Sequence, residues 1–227
     1  MKIVRDKKDK KIWLSQEKYV ERVIERFNMK NATPVSTPLA NHFKVTKRSC
    51  PTTSSERKEM ETIPYSFAVG SLMYAMVCTR PDIAYAVGVV SRFLANLGKE
   101  HWEVVKWILR YLKETSKMCL CFGRAEPILE GFTDVDMAGD LDGRKSTLGF
   151  LFTFAGGAIS WQSKLQKFVA LSTTEVEFIA ATDAGKEMLW LKRFLLELGL
   201  CRRARGPHAT VRTLIVTVLN LISQCAM

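Results

Sequence analysis

Residues 128–140 read ILEGFTDVDMAGD, an apolar run that ends in a cluster of carboxylates. The apolar part, Ile128–Thr133, is typical of a β-strand, and similar short runs bounded by glycine turns lie on both sides of it. The sequence therefore predicts a sheet in this half of the chain, with strands at Met118–Phe122, Ile128–Thr133, Thr147–Phe154 and Ala158–Trp161 and a short one at Val169–Ser172. A long helix is predicted from Thr173 or Thr174 to about Leu198, ahead of Gly199.

The first half of the chain is predicted to be mainly helical. Ile3–Leu14 has the pattern of a hairpin around a charged turn, and Ser15 is a candidate N-cap for the helix that follows. Asn31–Thr62 contains three prolines and many Ser and Thr residues, which predicts an irregular connector. Helical spacing then predicts three helices, near Ser66–Cys78, from Pro81 to Gly98 and from about Glu100 to Glu114. The change from helix to sheet falls near Thr115–Lys117.

The third of these helices has two different faces. Its apolar stripe consists of Trp102, Val105, Leu109 and Leu112. The other face carries Lys106, Arg110 and Lys113, a basic stripe suited to a phosphate backbone. An exposed face on which Glu103 and Glu114 pair with these cations explains the pattern equally well, so both interpretations stay open.

Composition favours a nucleic-acid partner. The 227-residue chain has a formal net charge of +11, and each phosphate that a basic surface neutralises releases counterions. A solvated basic surface without a partner is the alternative. The sequence has no pattern of a secretory signal and no apolar run of the roughly 18 residues that a membrane span needs, so we expect an intracellular protein, cytoplasmic or nuclear, without a membrane partner. The six cysteines form no C-x-x-C pair, which favours reduced thiols over a zinc site.

Two groups of carboxylates are candidate cation ligands. Asp134, Asp136 and Asp140 follow the predicted strand, and Glu175 and Glu177 open the long helix. Mg²⁺ prefers oxygen ligands, so a strand-end Asp facing a helix Glu is chemically suitable. The alternative is structural, because Asp136 and Asp140 also suit a turn and Glu175 also suits a helix N-terminus.

The order of short phrases along the chain resembles the C-terminal part of the Pol polyprotein of copia-type retrotransposons. The phrases span about Met1–Leu200 and occur in the family's order. They are Lys11–Gln16 (KIWLSQ), Gly70–Tyr74 (GSLMY), Thr79–Ala84 (TRPDIA), Arg110–Lys113 (RYLK), Thr133–Asp140 (TDVDMAGD), Arg144–Thr147 (RKST), Ile159–Trp161 (ISW) and Ala170–Glu175 (ALSTTE).

This resemblance implies an α+β fold, in which a helical thumb/connection region is followed by an incomplete ribonuclease H-like mixed sheet with one long helix. Residues 1–14 resemble a hairpin of the polymerase palm, and residues 15–116 resemble the thumb and connection of reverse transcriptase. Residues 117–200 resemble the N-terminal part of a ribonuclease H domain, and residues 201–227 form a divergent tail. The rest of the palm, with the polymerase aspartates, would precede Met1, so polymerase activity is not expected.

The resemblance also implies a site. In the family, Asp and Glu side chains hold two Mg²⁺ ions, one to activate water and one to stabilise the leaving oxygen of the cut RNA strand. Asp134 matches the first of these carboxylates and Glu177 the second, both as catalytic residues and as metal ligands. Asp136 and Glu175 belong to the same motifs in supporting roles, and Met137 stands where the family has Trp.

The tail departs from the family pattern. No Asp or Glu follows Glu197, so the family's later carboxylates have no counterpart, and a frameshift after about Leu200 would explain their loss. Two carboxylates are poor ligands for two adjacent Mg²⁺ ions. We therefore expect Mg²⁺ binding and catalysis to be lost, and the shortened sheet to keep an open edge.

The expected function is that of a catalytically inactive reverse transcriptase/ribonuclease H fragment with a surface for an RNA–DNA hybrid or a primer–template. One alternative is a hybrid ribonuclease that needs a partner chain to complete its site. The other is an exapted interaction protein such as a secreted RxLR-type effector, although the chain has no Arg-x-Leu-Arg phrase.

Overall fold

A computed structural model describes residues 1–200 and 212–215. Two compact units make up the chain. The first, the helical unit, comprises Met1–Lys2 and Ser15–Cys119, and the second, the sheet unit, comprises Ile3–Leu14 and the chain from Leu120 onward. The fold is thus mixed α and β. Whether these units correspond to the thumb/connection and ribonuclease H regions stays a prediction.

The helical unit contains five α-helices within the described residues. They are α1 (Glu17–Arg26), α2 (Ser54–Glu61), α3 (Tyr65–Thr79), α4 (Ala84–Ser91) and α5 (Lys99–Glu114), with short 3₁₀ turns at Lys47–Ser49 and Pro81–Ile83. The predicted α3 and α5 agree with these bounds to within a residue or two. In α5 the predicted stripe faces the core, because Val105, Leu109 and Leu112 are buried and Trp102 packs against them.

Three predictions for this unit are wrong in detail, each for a local reason. Gln16, not Ser15, is the N-cap of α1. The connector contains α2, which the sequence Thr53-Ser-Ser-Glu56 caps: the Thr53 side chain accepts from the Glu56 N–H, and the Glu56 side chain accepts from the Thr53 N–H. The helix after Pro81 ends at Ser91 rather than near Gly98, because the following N–H groups bond three residues back, which tightens and ends the last turn.

The sheet unit contains two sheets. The first has the order β1 (Lys2–Asp6), β2 (Lys11–Ser15), β3 (Cys119–Phe122). The second is built from β4 (Leu129–Asp136), β5 (Thr147–Phe154), β6 (Gly157–Leu165) and β7 (Arg212–Ile215), in the order β6–β5–β4–β7. β4 pairs antiparallel with β5 and β5 with β6, whereas β4 and β7 are parallel.

The long helix α6 (Thr173–Glu197) lies between β6 and β7 in the sequence and packs on β4 and β5. Its N-cap is Ser172, whose side chain accepts from the Glu175 N–H at 3.1 Å. The predicted strand Val169–Ser172 is therefore wrong, because its last residue caps a helix and Leu171 N donates to Glu175 Oε2 at 2.8 Å. Glu175 thus has the helix-terminus role that the sequence left open.

The described part of the sheet keeps an open edge, but this edge lies at β7 rather than at β4. Residues Glu130–Thr133 of β4 pair in parallel with Arg212–Ile215 of β7, so the divergent tail supplies a strand where the loss of one was expected. The apolar, partly β-branched sequence of the tail suits a strand. The rest of the tail, residues 201–211 and 216–227, lies outside the described residues.

No single helix among the described residues is long and apolar enough to cross a membrane, and only α2 and α3 taken together, across a 51° bend, meet the length and composition that a span requires.

Two glycines, one on β4 and one on α6, lie where these elements pack together, and they differ in how much space surrounds them. A Cβ on Gly131 would lie 2.5 Å from the Phe152 ring, so the ring occupies the space above the strand. Gly185 of α6 lines a mostly apolar cavity of about 80 Å³ beside the same ring, and a Cβ there would meet nothing within 4 Å.

We expect Gly185→Ala to raise the free energy of unfolding by about 0.5–1 kcal/mol, because alanine restricts the unfolded chain and suits a helix interior. Gly131→Ala is the matched control and should lower it, because its Cβ meets the ring. Urea unfolding followed by circular dichroism measures both. Destabilisation by Gly185→Ala would mean that the space beside Gly185 is not available.

Candidate functional site

Asp134 and Asp136 lie at the end of β4 and on the same side of it. Strand side chains alternate, and Leu129, Gly131, Thr133 and Val135 all face α6, whereas Phe132 packs in a cluster on the other side of the sheet. Asp134 and Asp136 therefore share the side of Phe132. Burial and the neighbouring Asp134 charge raise the pKa of Asp136, which indicates that the two carboxyls are close enough to repel each other.

Glu177 lies in the first turns of α6. It precedes Ala181 by one helical turn and Ala184 by two, and both alanines line the cavity above β4. Glu177 thus shares the face of α6 that looks toward the sheet, but its side chain is exposed, whereas the preceding Val176 is buried in a cluster with Leu148 and Val135. Asp134 and Glu177 are consequently at the same end of β4 but on different sides of the sheet.

The other carboxylates of this region have local structural partners. Asp140 Oδ2 accepts from Gly143 N at 2.8 Å, as expected for a residue that caps a turn. Asp136 packs against the Gly139 backbone, where a Cβ would lie 1.8 Å from Oδ2. Within the described residues no group of three or more His, Cys, Asp or Glu side chains is arranged to hold a metal ion. The described residues thus do not fit the two-Mg²⁺ set that the resemblance implies.

The three basic residues predicted to contact nucleic acid are engaged within the helical unit. Lys106 pairs with Glu103. Arg110 lies over the Trp107 ring, 4.9 Å from its centroid, and its Nε donates to the Thr33 carbonyl. Lys113 Nζ donates to the Ala32 carbonyl at 2.8 Å. Arg110 and Lys113 therefore hold the connector against α5, and their role in nucleic-acid binding stays a prediction.

A buried ionic network is a feature that sequence reasoning missed. The Arg80 guanidinium donates to Asp82, with Nη2–Oδ2 at 2.6 Å, and Tyr111 Oη donates to the same Oδ2 at 2.8 Å. Burial lowers the pKa of Arg80, but the hydrogen bonds and charge of Asp82 outweigh it and the pKa is raised. The sequence signal for this network was the phrase Thr79–Ala84, which contains Arg80 and Asp82. Nothing in that phrase indicated that the two charges are buried.

A second missed feature is an exposed, uncharged face on α3, which we call the α3 face. It consists of Phe67, Gly70, Met73, Tyr74 and Val77, and the four side chains are 41–72% exposed. No atom lies within 4 Å of the position that a Cβ on Gly70 would occupy, so no contact within the described chain explains a glycine in the middle of this helix. The sequence signal for this face was a glycine in the middle of a predicted helix, with Phe67 before it and Tyr74 after it.

Comparison with known proteins identifies the origin of the chain. It is 74% identical over 200 residues to the retrovirus-related Pol polyprotein from transposon TNT 1-94 of Nicotiana tabacum, covering 88% of this chain and 15% of that protein. It is 32% identical over 199 residues to an uncharacterised mitochondrial protein of Arabidopsis thaliana, covering 87% of this chain and 76% of that protein. It is also 49% identical over 133 residues to secreted RxLR effector protein 161 of Plasmopara viticola, covering 58% of this chain and 94% of that protein.

No family model and no solved structure matches the chain. The similar proteins include several that transposons encode, which defines the class. The chain belongs to the family of retrovirus-related Pol polyproteins of copia-type transposons. It spans about 15% of the length of the tobacco polyprotein that it matches.

Proposed function

We propose that this chain is a retrotransposon-derived segment of Pol that binds nucleic acid through its helical unit and carries a ribonuclease H-like sheet unit without cleaving RNA by itself. The observation that carries the proposal is the second sheet. Three consecutive antiparallel strands, with one long helix packed on them, support this proposal, because a ribonuclease H-like unit is expected to have a sheet and a long helix of this kind.

The arrangement of the carboxylates supports the part of the proposal that concerns catalysis. Two Mg²⁺ ions held close together need several anionic ligands that converge on them. Asp134 and Glu177 lie on different sides of the sheet, and the carboxyl near Asp134 is that of Asp136 on the same strand. This geometry supports a site that is silent, and no reaction step through Mg²⁺ is proposed.

We expect no Mg²⁺-dependent cleavage of an RNA–DNA hybrid above the buffer rate, either by the wild type or by Asp134→Asn. The assay uses a hybrid labelled on its RNA strand, with a competent ribonuclease H as positive control. Cleavage by the wild type that disappears in Asp134→Asn would instead favour the alternative of an active ribonuclease.

The α3 face is the surface that best suits nucleic acid. It carries no charge, so it does not suit phosphates, but apolar and aromatic side chains contact sugars and base edges in a minor groove. Gly70 would let the helix backbone approach the duplex closely. The chain's charge of +11 would supply the attraction for phosphates around this contact.

We expect Phe67→Ala to weaken binding of an RNA–DNA hybrid by about tenfold, because burying a phenylalanine ring against the groove contributes about 1.5–3 kcal/mol and about 1.4 kcal/mol is a tenfold change in affinity. Gly70→Leu should weaken it similarly by holding the helix away from the duplex. Phe178→Ala is the matched control, because Phe178 is also on a helix and also 72% exposed but belongs to the sheet unit. Fluorescence anisotropy at low salt measures all four proteins.

Binding should also fall steeply as salt increases, since phosphate contacts release counterions. Equal affinities of the Phe67→Ala, Gly70→Leu and Phe178→Ala variants would contradict the role of the α3 face. No detectable affinity of the wild type for the hybrid would contradict the proposed function as a whole.

The second candidate is an exapted interaction protein. It is favoured by the match that covers 94% of a protein named as a secreted RxLR effector, which is also shorter than the Pol polyproteins. Heparin is a polyanion that has neither bases nor a groove. This candidate predicts that heparin displaces the labelled hybrid from the protein as effectively as an unlabelled hybrid does. Strong preference for the hybrid over heparin would favour the Pol-like function.

A further inference from the structure

The strand β1 is exposed along nearly its whole length. Lys2, Ile3, Val4 and Arg5 are all exposed, and Asp6 is half-buried. Ile3 and Val4 are 62% and 43% exposed, although successive side chains point to opposite faces of a strand. Among residues 1–200 and 212–215, both faces of β1 are therefore exposed.

No strand of the described part of the chain pairs with the outer edge of β1. Within the described residues its sheet has the order β1–β2–β3, so β1 has one hydrogen-bonded neighbour. Such an edge presents a row of N–H and C=O groups that can pair with another strand, and proteins usually protect it with a short strand, charged side chains, proline, a bulge or a covering segment. The sequence of β1, KIVRD, contains no proline.

The charges of β1 are complementary to a second copy of the same strand. When KIVRD runs antiparallel to itself about Val4, Lys2 lies opposite Asp6 of the second copy, and Asp6 lies opposite its Lys2. Opposite charges that face each other across strands stabilise the pair, whereas like charges destabilise it. Val4 then lies opposite Val4 of the second copy, which suits a β-branched residue. The charges thus select this register rather than prevent pairing.

We propose that two copies of this chain associate through β1, which forms an antiparallel ladder centred on Val4 and makes one continuous sheet from the two β1–β2–β3 sheets. The association is symmetric, because the same surface contributes from both copies. It does not depend on the proposed function, since β1 lies outside both the α3 face and the carboxylates of β4.

Cysteine cross-linking tests the register directly. In this ladder the two Val4 Cα atoms would be about 4.5–5.5 Å apart, within the range that a disulfide spans. The two Ile3 residues would be diagonal neighbours, about 7–8 Å apart and beyond that range. Val4→Cys should therefore form a covalent dimer on mild oxidation, whereas Ile3→Cys and the wild type, which has six cysteines of its own, should form several-fold less.

Sedimentation velocity over a concentration series tests the association without oxidation. Val4→Lys places two lysines opposite each other, and Lys2→Asp places two pairs of carboxylates opposite each other, so each should raise the dissociation constant of the dimer about tenfold or more. Val4→Thr is the matched control, because it keeps a β-branched residue at the same position and should change little. Circular dichroism establishes that each variant is folded.

Each outcome decides the proposal. A wild type that stays monomeric at 100 µM (roughly the concentration at which a weak dimer becomes visible) would overturn it. It would also be overturned if Ile3→Cys cross-linked as fully as Val4→Cys, or if folded Val4→Lys dimerised as strongly as the wild type. Loss of dimer in Val4→Lys and Lys2→Asp with specific cross-linking of Val4→Cys would support it.

Discussion

Asp82→Ala should lower the free energy of unfolding of the helical unit by about 3–5 kcal/mol, because it leaves a buried guanidinium without its counter-ion. The Arg80 and Asp82 side chains are 3% and 5% exposed, so water does not replace the lost partner. Tyr111 loses its acceptor as well. Burial and the charge of Asp82 raise the pKa of Tyr111 above its usual range, so its hydroxyl stays protonated and loses the carboxylate that accepts its proton.

The network also connects two separate parts of the unit, the segment after α3 and the C-terminal end of α5. Arg80 follows α3, Tyr111 belongs to α5, and Arg80 Nη1 donates to the Thr115 carbonyl at 3.1 Å, just beyond the end of α5. Removal of Asp82 therefore weakens the contact between two helices as well as one ion pair. For this reason we expect an effect near the upper end of the range for single substitutions.

Urea unfolding followed by circular dichroism measures the change. Glu114→Ala is the control, since Glu114 is an exposed carboxylate at the end of α5 and its loss should change stability by less than about 0.5 kcal/mol. The double variant Arg80→Met/Asp82→Leu should recover much of the loss, because apolar residues can replace a buried ion pair. If Asp82→Ala were as stable as Glu114→Ala, the network would have no net role in stability.

Phe152→Ala should lower the stability of the sheet unit by about 3–5 kcal/mol, the usual range for a fully buried aromatic residue. Phe152 is 0% exposed and packs in a cluster with Leu129, Ala184, Leu191 and Leu195, between the sheet and α6. The cavity of about 80 Å³ already borders its ring, so truncation enlarges an existing void that its neighbours have not filled.

A double-mutant cycle with Gly131 tests this explanation. Gly131→Val alone should be strongly destabilising, because its Cβ would lie 2.5 Å from the Phe152 ring. In the Phe152→Ala background the ring is absent, so Gly131→Val should cost little or be stabilising, which makes the two changes non-additive. Phe168→Ala, at a residue that is 77% exposed, is the control for loss of a phenylalanine.

Hydrogen exchange of amides in β4 and β5 measures the stability of this unit separately from that of the helical unit. Faster exchange in Phe152→Ala than in Phe168→Ala is the expected result. Additive effects of Gly131→Val and Phe152→Ala would contradict a direct contact between the two positions.

Local patterns predicted most of the helices and strands. β5 was predicted to the residue, α6 to within a residue at its N-terminus, and β4 in its first part, because alternation, helical spacing and caps are encoded by neighbours in sequence. The same patterns did not reveal α2. Its capping box is present at Thr53 and Glu56, but the surrounding proline and serine residues favour an irregular segment.

The candidate site was less predictable. The spacing of Asp134 and Glu177 placed one on a strand end and the other on a helix start, which is where they lie. It did not determine the side of the sheet that each residue faces, because that depends on which residues of β4 pack against α6. Likewise, the basic stripe of α5 was correctly read as one face, but its contacts with Thr33 and Ala32 join residues almost 80 positions apart.

The sequence by itself determined the family of this chain, the order of most of its helices and strands, and the position of its first two candidate carboxylates along the chain. Those properties depend on residues that are close in sequence or on an ordered series of short phrases. The sheet was predicted from the segment that contains β4. Only the tertiary structure decided that β4 pairs with a strand of the tail and that Asp134 faces away from α6. It also decided that Arg80 and Asp82 are buried, because strand pairing, facing and burial depend on contacts between distant segments that no local pattern specifies.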